Sequence, residues 1–330
     1  VYGFDRIPAN PPVAPAAMRV RPEASRDGHS LRRLMAARDF FEVINYSFVD
    51  AEWESDFGGR ADPIKVRNPI AGQYSVMRTT LLGSLVANLR YNLNRKHDRI
   101  RVFEVARVFF RDPGAQEGPN GVAGVSQPIH IGAIACGPVL PEQWGSDTRG
   151  VDFFDLKADL ESLLAPATAR FESASHPALH PGRSAKVVLD GRPIGWIGEL
   201  HPRLQRKYEL QLPAVCFEIE VEPLRNRNLP RFEVVSKFPP MVRDLSILVP
   251  DVVPVQEILD AMRAGLPSTV KSVDLFDLYR GKGVAKEEKS LAFRVVMQDT
   301  ARTLTDEEAD AIKAGLLNVL KARFGAKLRA

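Results

Sequence analysis

The chain has 330 residues, enough for about two domains with cores of their own. Lys and Arg number 45 against 41 Asp and Glu, a net charge of +4; so mild an excess permits nucleic-acid contact without arguing for it, because a local patch matters more than the sum. No apolar run approaches the ~20 residues that cross a bilayer, and Cys136 and Cys216 lie far apart in apolar runs, as buried thiols of a reducing compartment rather than a disulfide framework. No signal-peptide pattern opens the chain. It begins at Val1 without an initiator methionine, so a fragment or processed product is expected.

Residues 1–15 read as a tail whose prolines from Pro8 to Pro15 fix φ and remove donors, giving an extended connector. A helix is predicted over 26–39, with Leu31, Leu34, Met35 and Ala36-Ala37 as its apolar stripe. Residues 41–49 alternate with polar members on both faces, as a strand lining a cleft or an interface does. A short strand over 62–66 precedes a long helix over 76–95 with Leu81, Leu82, Leu85, Leu89 and Leu93 on one side. At its start, Arg78-Thr79-Thr80-Leu81-Leu82 offers backbone amides and a fixed Arg to an anion. The many leucines favour instead a face packed on a partner helix.

A strand over 101–110, a Gly- and Pro-rich surface loop over 112–126 and a strand over 129–136 follow. The pattern continues with a helix over 152–164 and a hairpin over 184–200 turning at Asp190-Gly191. His201-Pro202 opens a short helix, and 215–221 is a last strand. Mixed antiparallel strands with interposed helices make 16–228 an α+β layer domain. Residues 229–235 read as a linker.

The segment 236–330 carries the clearest order of elements. Leu245, Ile247 and Val249 share one parity in a first strand. Pro254 can start a helix with Val255, Ile258, Leu259 and Met262 on one face, and Gly265 and Pro267 stop it. In the next strand, over 271–279, Val273 and Leu275 oppose Asp274 and Phe276. After the turn Arg280-Gly281-Lys282-Gly283, Leu291, Phe293, Val295 and Met297 alternate with Ala292, Arg294, Val296 and Gln298. Thr305-Asp306-Glu307-Glu308 is a capping box, and its helix should bury Ala309, Ile312, Leu316, Val319 and Leu320. Gly325 ends the helix, and 326–329 can form a short strand.

The order β-α-β-β-α-β is that of ferredoxin-like domains. Two helices would cover one face of a four-stranded antiparallel sheet and leave the other bare. That bare face should carry Ser246, Asp274, Phe276, Ser290 and Arg294, rimmed by Arg243, Arg280, Lys282 and Lys289. An aromatic ring among hydroxyls and cations suits an unstacked RNA base. The alternative is that Phe276 packs on a neighbouring domain and the cations are solvated, since this topology serves many functions.

The wording of the segment bears on that choice. Ser236-Lys237-Phe238-Pro239, Arg243-Asp244-Leu245, Phe276-Asp277-Leu278-Tyr279-Arg280-Gly281, Lys289-Ser290-Leu291-Ala292, Arg302-Thr303-Leu304-Thr305-Asp306 and Leu328-Arg329 resemble the ferredoxin-fold anticodon-binding domain. That domain closes the β subunit of bacterial phenylalanyl-tRNA synthetases. Upstream, Asn68-Pro69-Ile70, Arg78-Thr79-Thr80-Leu81-Leu82, Phe103-Glu104-Val105-Ala106-Arg107-Val108-Phe109 and Asp152-Phe153-Phe154-Asp155-Leu156-Lys157 look like the core module of the same family. His180-Pro181-Gly182-Arg183-Ser184-Ala185 and Gly195-Trp196-Ile197-Gly198-Glu199-Leu200-His201-Pro202 extend that likeness. The core module is similar to a class II synthetase catalytic domain but is non-catalytic. Val1-Tyr2-Gly3-Phe4-Asp5-Arg6-Ile7-Pro8 resembles the end of a preceding domain, with Phe4 in place of the usual second Tyr.

The resemblance implies an α+β chain: a class II synthetase-like module, then an anticodon-binding domain over 236–330. It implies a cytoplasmic ligase subunit, inactive alone, that packs on the catalytic α subunit in an assembly of two α and two β and binds tRNA(Phe). ATP and Mg²⁺ are implied for that assembly and no cofactor or metal for this chain. The family's magnesium-binding acids would lie just before Val1, and its editing domain further upstream, so no editing is expected here. The tRNA-binding candidates are Arg243, Ser246, Phe276, Lys289, Ser290 and Arg294, with Phe276 stacking a base.

Residues for independent chemistry are wanting. Class II synthetases hold ATP with one arginine in an aromatic-Arg-x-Glu strand and another after a glycine-rich strand. Here Arg101-Val102-Phe103-Glu104 places Arg three before Glu rather than two. Leu200 and His201 follow Gly195-Trp196-Ile197-Gly198-Glu199. Without those cations the adenylate-forming step has no electrostatic stabiliser. No Gly-x-x-x-x-Gly-Lys-Ser/Thr loop exists. His176 and His180 have helical metal spacing, but Pro177 and Pro181 make the segment a loop with no acid to complete a set. Two rival functions stand beside the leading one: a stand-alone RNA-binding or interaction protein, and an active ATP-dependent ligase that the missing arginines disfavour.

Overall fold

The computed structural model describes residues 3–10, 13, 22–119, 121–226, 228–232 and 234–329. The connector predicted over 8–15 lies partly outside them. The chain divides into two compact units, Val1–Leu229 and Pro230–Ala330.

In chain order, the first unit contains α1 (Gly28–Ala37), β1 (Phe41–Glu42), β2 (Phe48–Val49), α2 (Ala51–Asp56), β3 (Val76–Met77), α3 (Leu82–Leu93), β4 (Ile100–Arg107), β5 (Phe110–Arg111), β6 (Val125–Ser126) and β7 (Ile129–Cys136). It continues with α4 (Phe153–Leu164), β8 (Arg170–Ser173), β9 (Leu179–Leu189), β10 (Arg192–Leu200), α5 (Pro202–Lys207) and β11 (Ala214–Glu220). Seven strands form one sheet in the order β1-β4-β7-β11-β10-β9-β8. β1 runs parallel to β4, and every other neighbouring pair is antiparallel.

Side chains alternate across this sheet, and both faces are covered. Ile131, Ala133, Val215, Phe217 and Ile219 join Leu31 and Met35 of α1 and Leu156, Leu160 and Leu163 of α4 in one core. Ile134, Cys136 and Cys216 join Leu82, Leu85 and Leu89 of α3 and Leu204 of α5 in the other. The leucine face of α3 therefore packs on the chain's own sheet rather than on a partner helix. Burial pushes the thiols of Cys136 and Cys216 up to about 12, which keeps both in the unreactive protonated form.

Several predicted elements are shorter than expected. The strand over 41–49 survives only as β1 and β2, because the amide and side chain of Asn45 turn to the Glu104 carboxylate. The strand over 62–66 reduces to a single bridge between Lys65 and Val76. The helix over 76–95 starts only at Leu82, since β3 pairs with β2 and residues 78–81 hydrogen-bond elsewhere. β8 and α2 carry too little periodicity to be predicted. Asp190 and Gly191, at φ 49° and 78°, make the expected turn between β9 and β10.

The second unit comprises β12 (Met241–Pro250), α6 (Val255–Arg263), β13 (Val270–Tyr279), β14 (Glu288–Met297), α7 (Asp306–Phe324) and β15 (Lys327–Leu328). The sheet order is β13-β14-β12-β15 with all neighbours antiparallel, the ferredoxin-like arrangement. Leu245, Ile247, Val249, Leu291, Phe293, Val295 and Met297 form a core with Ile258 and Met262 of α6 and Ala309, Leu316 and Leu320 of α7. Val319, predicted on that stripe, is exposed; it precedes Leu320 by one residue, about 100° around the helix.

α7 opens on the predicted capping box. The Thr305 hydroxyl accepts from the Glu308 amide at 3.3 Å, and the Glu308 carboxylate accepts from the Thr305 amide at 2.9 Å. Gly325 closes the helix in the left-handed region at φ 65°, where only Gly carries no Cβ penalty. The Arg302 guanidinium and the Thr305 amide together hold the Glu308 carboxyl down at about 2, against an ordinary 4.5. A depressed carboxyl stabilises the fold above its unfolded value, and that stability is lost as pH falls through the folded value. In thermal melts, the midpoint difference between the parent chain and Glu308→Gln should therefore be widest above pH 4.5 and close as pH falls toward 2. A difference independent of pH would refute this role.

Candidate nucleic-acid interface

The bare face of the second unit is built row by row from strand register. Asp244, Arg294 and Asp274 share one row, Ser246, Ala292 and Asp277 the next, and Leu248, Ser290 and Tyr279 a third. Their neighbours in β12 and β14 point the other way, into the core under α6 and α7. The register of β13 against β14 slips between Leu275 and Asp277, leaving Phe276 as the extra residue of a β-bulge. A bulge re-aims the side chains that follow it.

Phe276 is 51% exposed, and the Arg294 guanidinium lies 4.8 Å from its ring centroid. The same guanidinium donates two bonds to the Asp244 carboxylate, at 2.9 and 2.8 Å. This bond from Arg294 holds the Asp244 carboxyl below its usual range. Beyond the bulge, parity flips. Tyr279, which strict alternation from Val273 would send to the core side, joins the bare face opposite Ser290. The Arg329 guanidinium sits 4.8 Å from the Tyr279 centroid, while the Arg329 amide donates to the Ser246 carbonyl at 3.0 Å. This pair bridges the strands between, which accounts for Ser290 being only 4% exposed.

The structure thus brings Phe276, Arg294 and Ser246 together on one face, with Ser290 beneath the surface of the same face. Two expected members are elsewhere. Arg243 has the parity of Leu245 and reaches α7, where Nε donates to Asp310 at 2.9 Å and Nη2 bonds Asp306. Lys289 has the parity of Leu291 and is buried, its Nζ donating to the carbonyls of Asp251 at 2.8 Å and Val253 at 2.7 Å. Burial also pulls the Lys289 ammonium below its usual range. Of the rim cations, Arg280 pairs with Asp251 and Lys282 is exposed. Tyr279 and Arg329 were missed because a bulge and a short terminal strand leave little periodic signal.

In the first unit, the segment from Arg78 to Leu81, whose amides and arginine could have served an anion, receives carboxylates of the same chain. Arg78, 1% exposed, donates to Glu104 Oε1 at 3.0 Å. The Thr79 amide donates to Glu54 Oε1 at 3.1 Å, and its hydroxyl bonds the same carboxylate. Glu218 Oε2 accepts from the Thr80 hydroxyl at 2.6 Å and from the Leu81 amide at 2.9 Å, while its Oε1 meets His130 Nδ1 at 2.7 Å. Burial pushes the Glu54 carboxyl up even against the Thr79 bonds. For Glu218, burial also pushes upward, but His130, Thr80 and Leu81 outweigh it and hold the carboxyl below its usual range.

Nor do the described residues of this unit fit ATP or Mg²⁺. Arg101 is 7% exposed, bonded to Asp159 and stacked on Phe40 at 4.3 Å. Leu200, where a phosphate-binding cation would be needed, is fully buried. Among the described residues no group of three or more His, Cys, Asp or Glu could hold a metal ion. No described helix is long and apolar enough to cross a membrane.

Comparison with known families places both units. Residues 7–221 match the phenylalanyl tRNA synthetase beta chain CLM domain, and residues 236–329 match the ferredoxin-fold anticodon binding domain. The chain belongs to the phenylalanyl-tRNA synthetase beta chain family. It is 54% identical over 338 residues to the phenylalanine–tRNA ligase beta subunit of Burkholderia lata, 53% over 338 residues to that of Burkholderia pseudomallei and 50% over 339 residues to that of Ralstonia nicotianae. Each match takes in the whole chain but only 42% of the relative's length.

For this beta-chain segment, the geometry separates Lys289 from the bare sheet face. Lys289→Ala should leave RNA affinity unchanged at matched salt while lowering stability by about 1–3 kcal/mol, the cost of stranding two buried carbonyl acceptors. Denaturant melts and RNA titration of the same variant check both halves. A loss of RNA affinity without a loss of stability would return Lys289 to the interface.

Proposed function

We propose that this chain is the non-catalytic part of a phenylalanine–tRNA ligase β subunit, acting in the cytoplasm. Its second unit meets the anticodon region of tRNA(Phe), and its first packs on the catalytic α subunit of a two-α, two-β assembly. ATP and Mg²⁺ belong to the α subunit's site. The observation that carries the RNA reading is the bare sheet face. It holds two exposed rings, Phe276 and Tyr279, each with an arginine guanidinium 4.8 Å from its centroid.

Such a face suits splayed bases. A ring accepts any base by stacking, and a neighbouring guanidinium adds charge for a phosphate or a second planar surface. Asp244 keeps Arg294 in place between its ring and its carboxylate, which limits the side-chain entropy lost on binding. Support for the α subunit comes from Phe41, Ile44 and Tyr46, exposed at 71, 92 and 64%. Three large side chains left open within six residues of chain suit a protein–protein contact.

The test is binding of an anticodon stem-loop RNA at one fixed salt concentration, since phosphate contacts depend on salt. Phe276→Ala and Tyr279→Ala should each weaken binding by about 1–3 kcal/mol. Unchanged dissociation constants in both variants would refute the interface. A stable complex with an α subunit on co-purification separates the ligase reading from a stand-alone RNA-binding protein.

A further inference from the structure

A cleft of about 300 Å³ opens in the first unit. It lies between the start of α3, the loop at residues 58–60 and the outer ends of β10 and β11. Leu82, Phe110, Ile194 and Trp196 give it apolar walls, and His130, His176 and Glu218 line it as well. Gly58, at φ +76°, lines it where a Cβ would fall 2.8 Å from the His176 ring.

Most polar groups in this cleft are already engaged. Glu218 is satisfied by His130, Thr80 and Leu81. Glu220 is paired with Arg192, and Lys186 with Glu172. Arg60 is the exception. Its guanidinium lies 4.3 Å from the Phe110 centroid, and it makes no ion pair among the described residues. A ring rather than an acid holds this cation at the cleft, so its donors remain available to a ligand.

We propose that this cleft binds a small single-ring aromatic carboxylate, its carboxylate on Arg60 and its ring against Trp196 and His176. One available cation suits a monoanion. A phosphate dianion would bring a second negative charge to a cleft that Glu218 and Glu220 also line, and like charges in a partly desolvated site repel strongly. The volume stands at the small end of ligand pockets, which limits the occupant to about one ring. Trp196 and His176 stand with ring centroids 5.0 Å apart and offer aromatic surface to a planar ligand. This inference concerns the first unit and is independent of the RNA reading.

The experiment is a titration of the full chain with phenylacetate, followed by the ring signals of its 6 histidines in proton NMR spectra. Saturable shifts of His130 and His176 are expected within about 10 mM, the range of a weak single-ring ligand. Arg60→Met should weaken binding by about tenfold or more, the worth of a charge-assisted bond, with an unchanged thermal midpoint because Arg60 is exposed. Acetate and cyclohexylacetate should bind more weakly than phenylacetate. Absence of saturable shifts in the parent chain would overturn the proposal. So would equal affinity in Arg60→Met, or equal affinity for cyclohexylacetate.

Discussion

A β-strand sends successive side chains to opposite faces, and the sheet of the second unit has helices on only one of them. Everything proposed for that unit depends on this constraint. The odd-numbered residues of β12 and β14, such as Ile247 and Phe293, fill the core under α6 and α7. The even-numbered ones lie on the bare face, where Asp244 and Arg294 are open to solvent or a ligand while Ser290 and Ala292 are buried beneath their neighbours. One irregularity then shapes the bare face. The bulge at Phe276 lets β13 present that ring and, with parity reversed, Tyr279 as well. A regular strand would have turned Tyr279 toward the helices.

The first unit follows a different logic. Its central strands are covered on both faces, and its buried charges pair within the chain. The stretch from Arg78 to Leu81 takes one carboxylate from β4, one from α2 and one from β11. These acids satisfy donors that would otherwise be stranded at the start of α3, where the first amides of a helix have no partner of their own. The same arrangement removes an external anion site. Arg101, tied to Asp159, is likewise withdrawn from any phosphate. A class II-like scaffold is thus kept while its charges are turned inward, in keeping with a structural role.

The legibility of these features in the sequence follows their physical origin. The βαββαβ order was readable because Leu245, Ile247 and Val249, and again Leu291, Phe293 and Val295, keep a strict period of two between clear helix caps. Phe276 and Arg294 followed from the same parity. That parity also argues against Arg243 and Lys289, which share it with core residues; the expectation for both rested on charge and family wording instead. Tyr279 and Arg329 were hidden by the bulge and the short β15. In the first unit, Leu81 to Leu93 signalled a buried helix face but not its partner. The helix start was misplaced because long-range carboxylates, which leave no local pattern, hold residues 78–81 out of the helix.

If the second unit binds RNA as proposed, the RNA lies on the bare sheet face and not on the helices. The most direct measurement is photo-crosslinking of an anticodon stem-loop carrying thiolated bases, with the attached peptides identified by mass spectrometry. Crosslinks are expected within β13 and β14, centred on Phe276 and Tyr279. Crosslinks confined to α6 and α7 would contradict this placement.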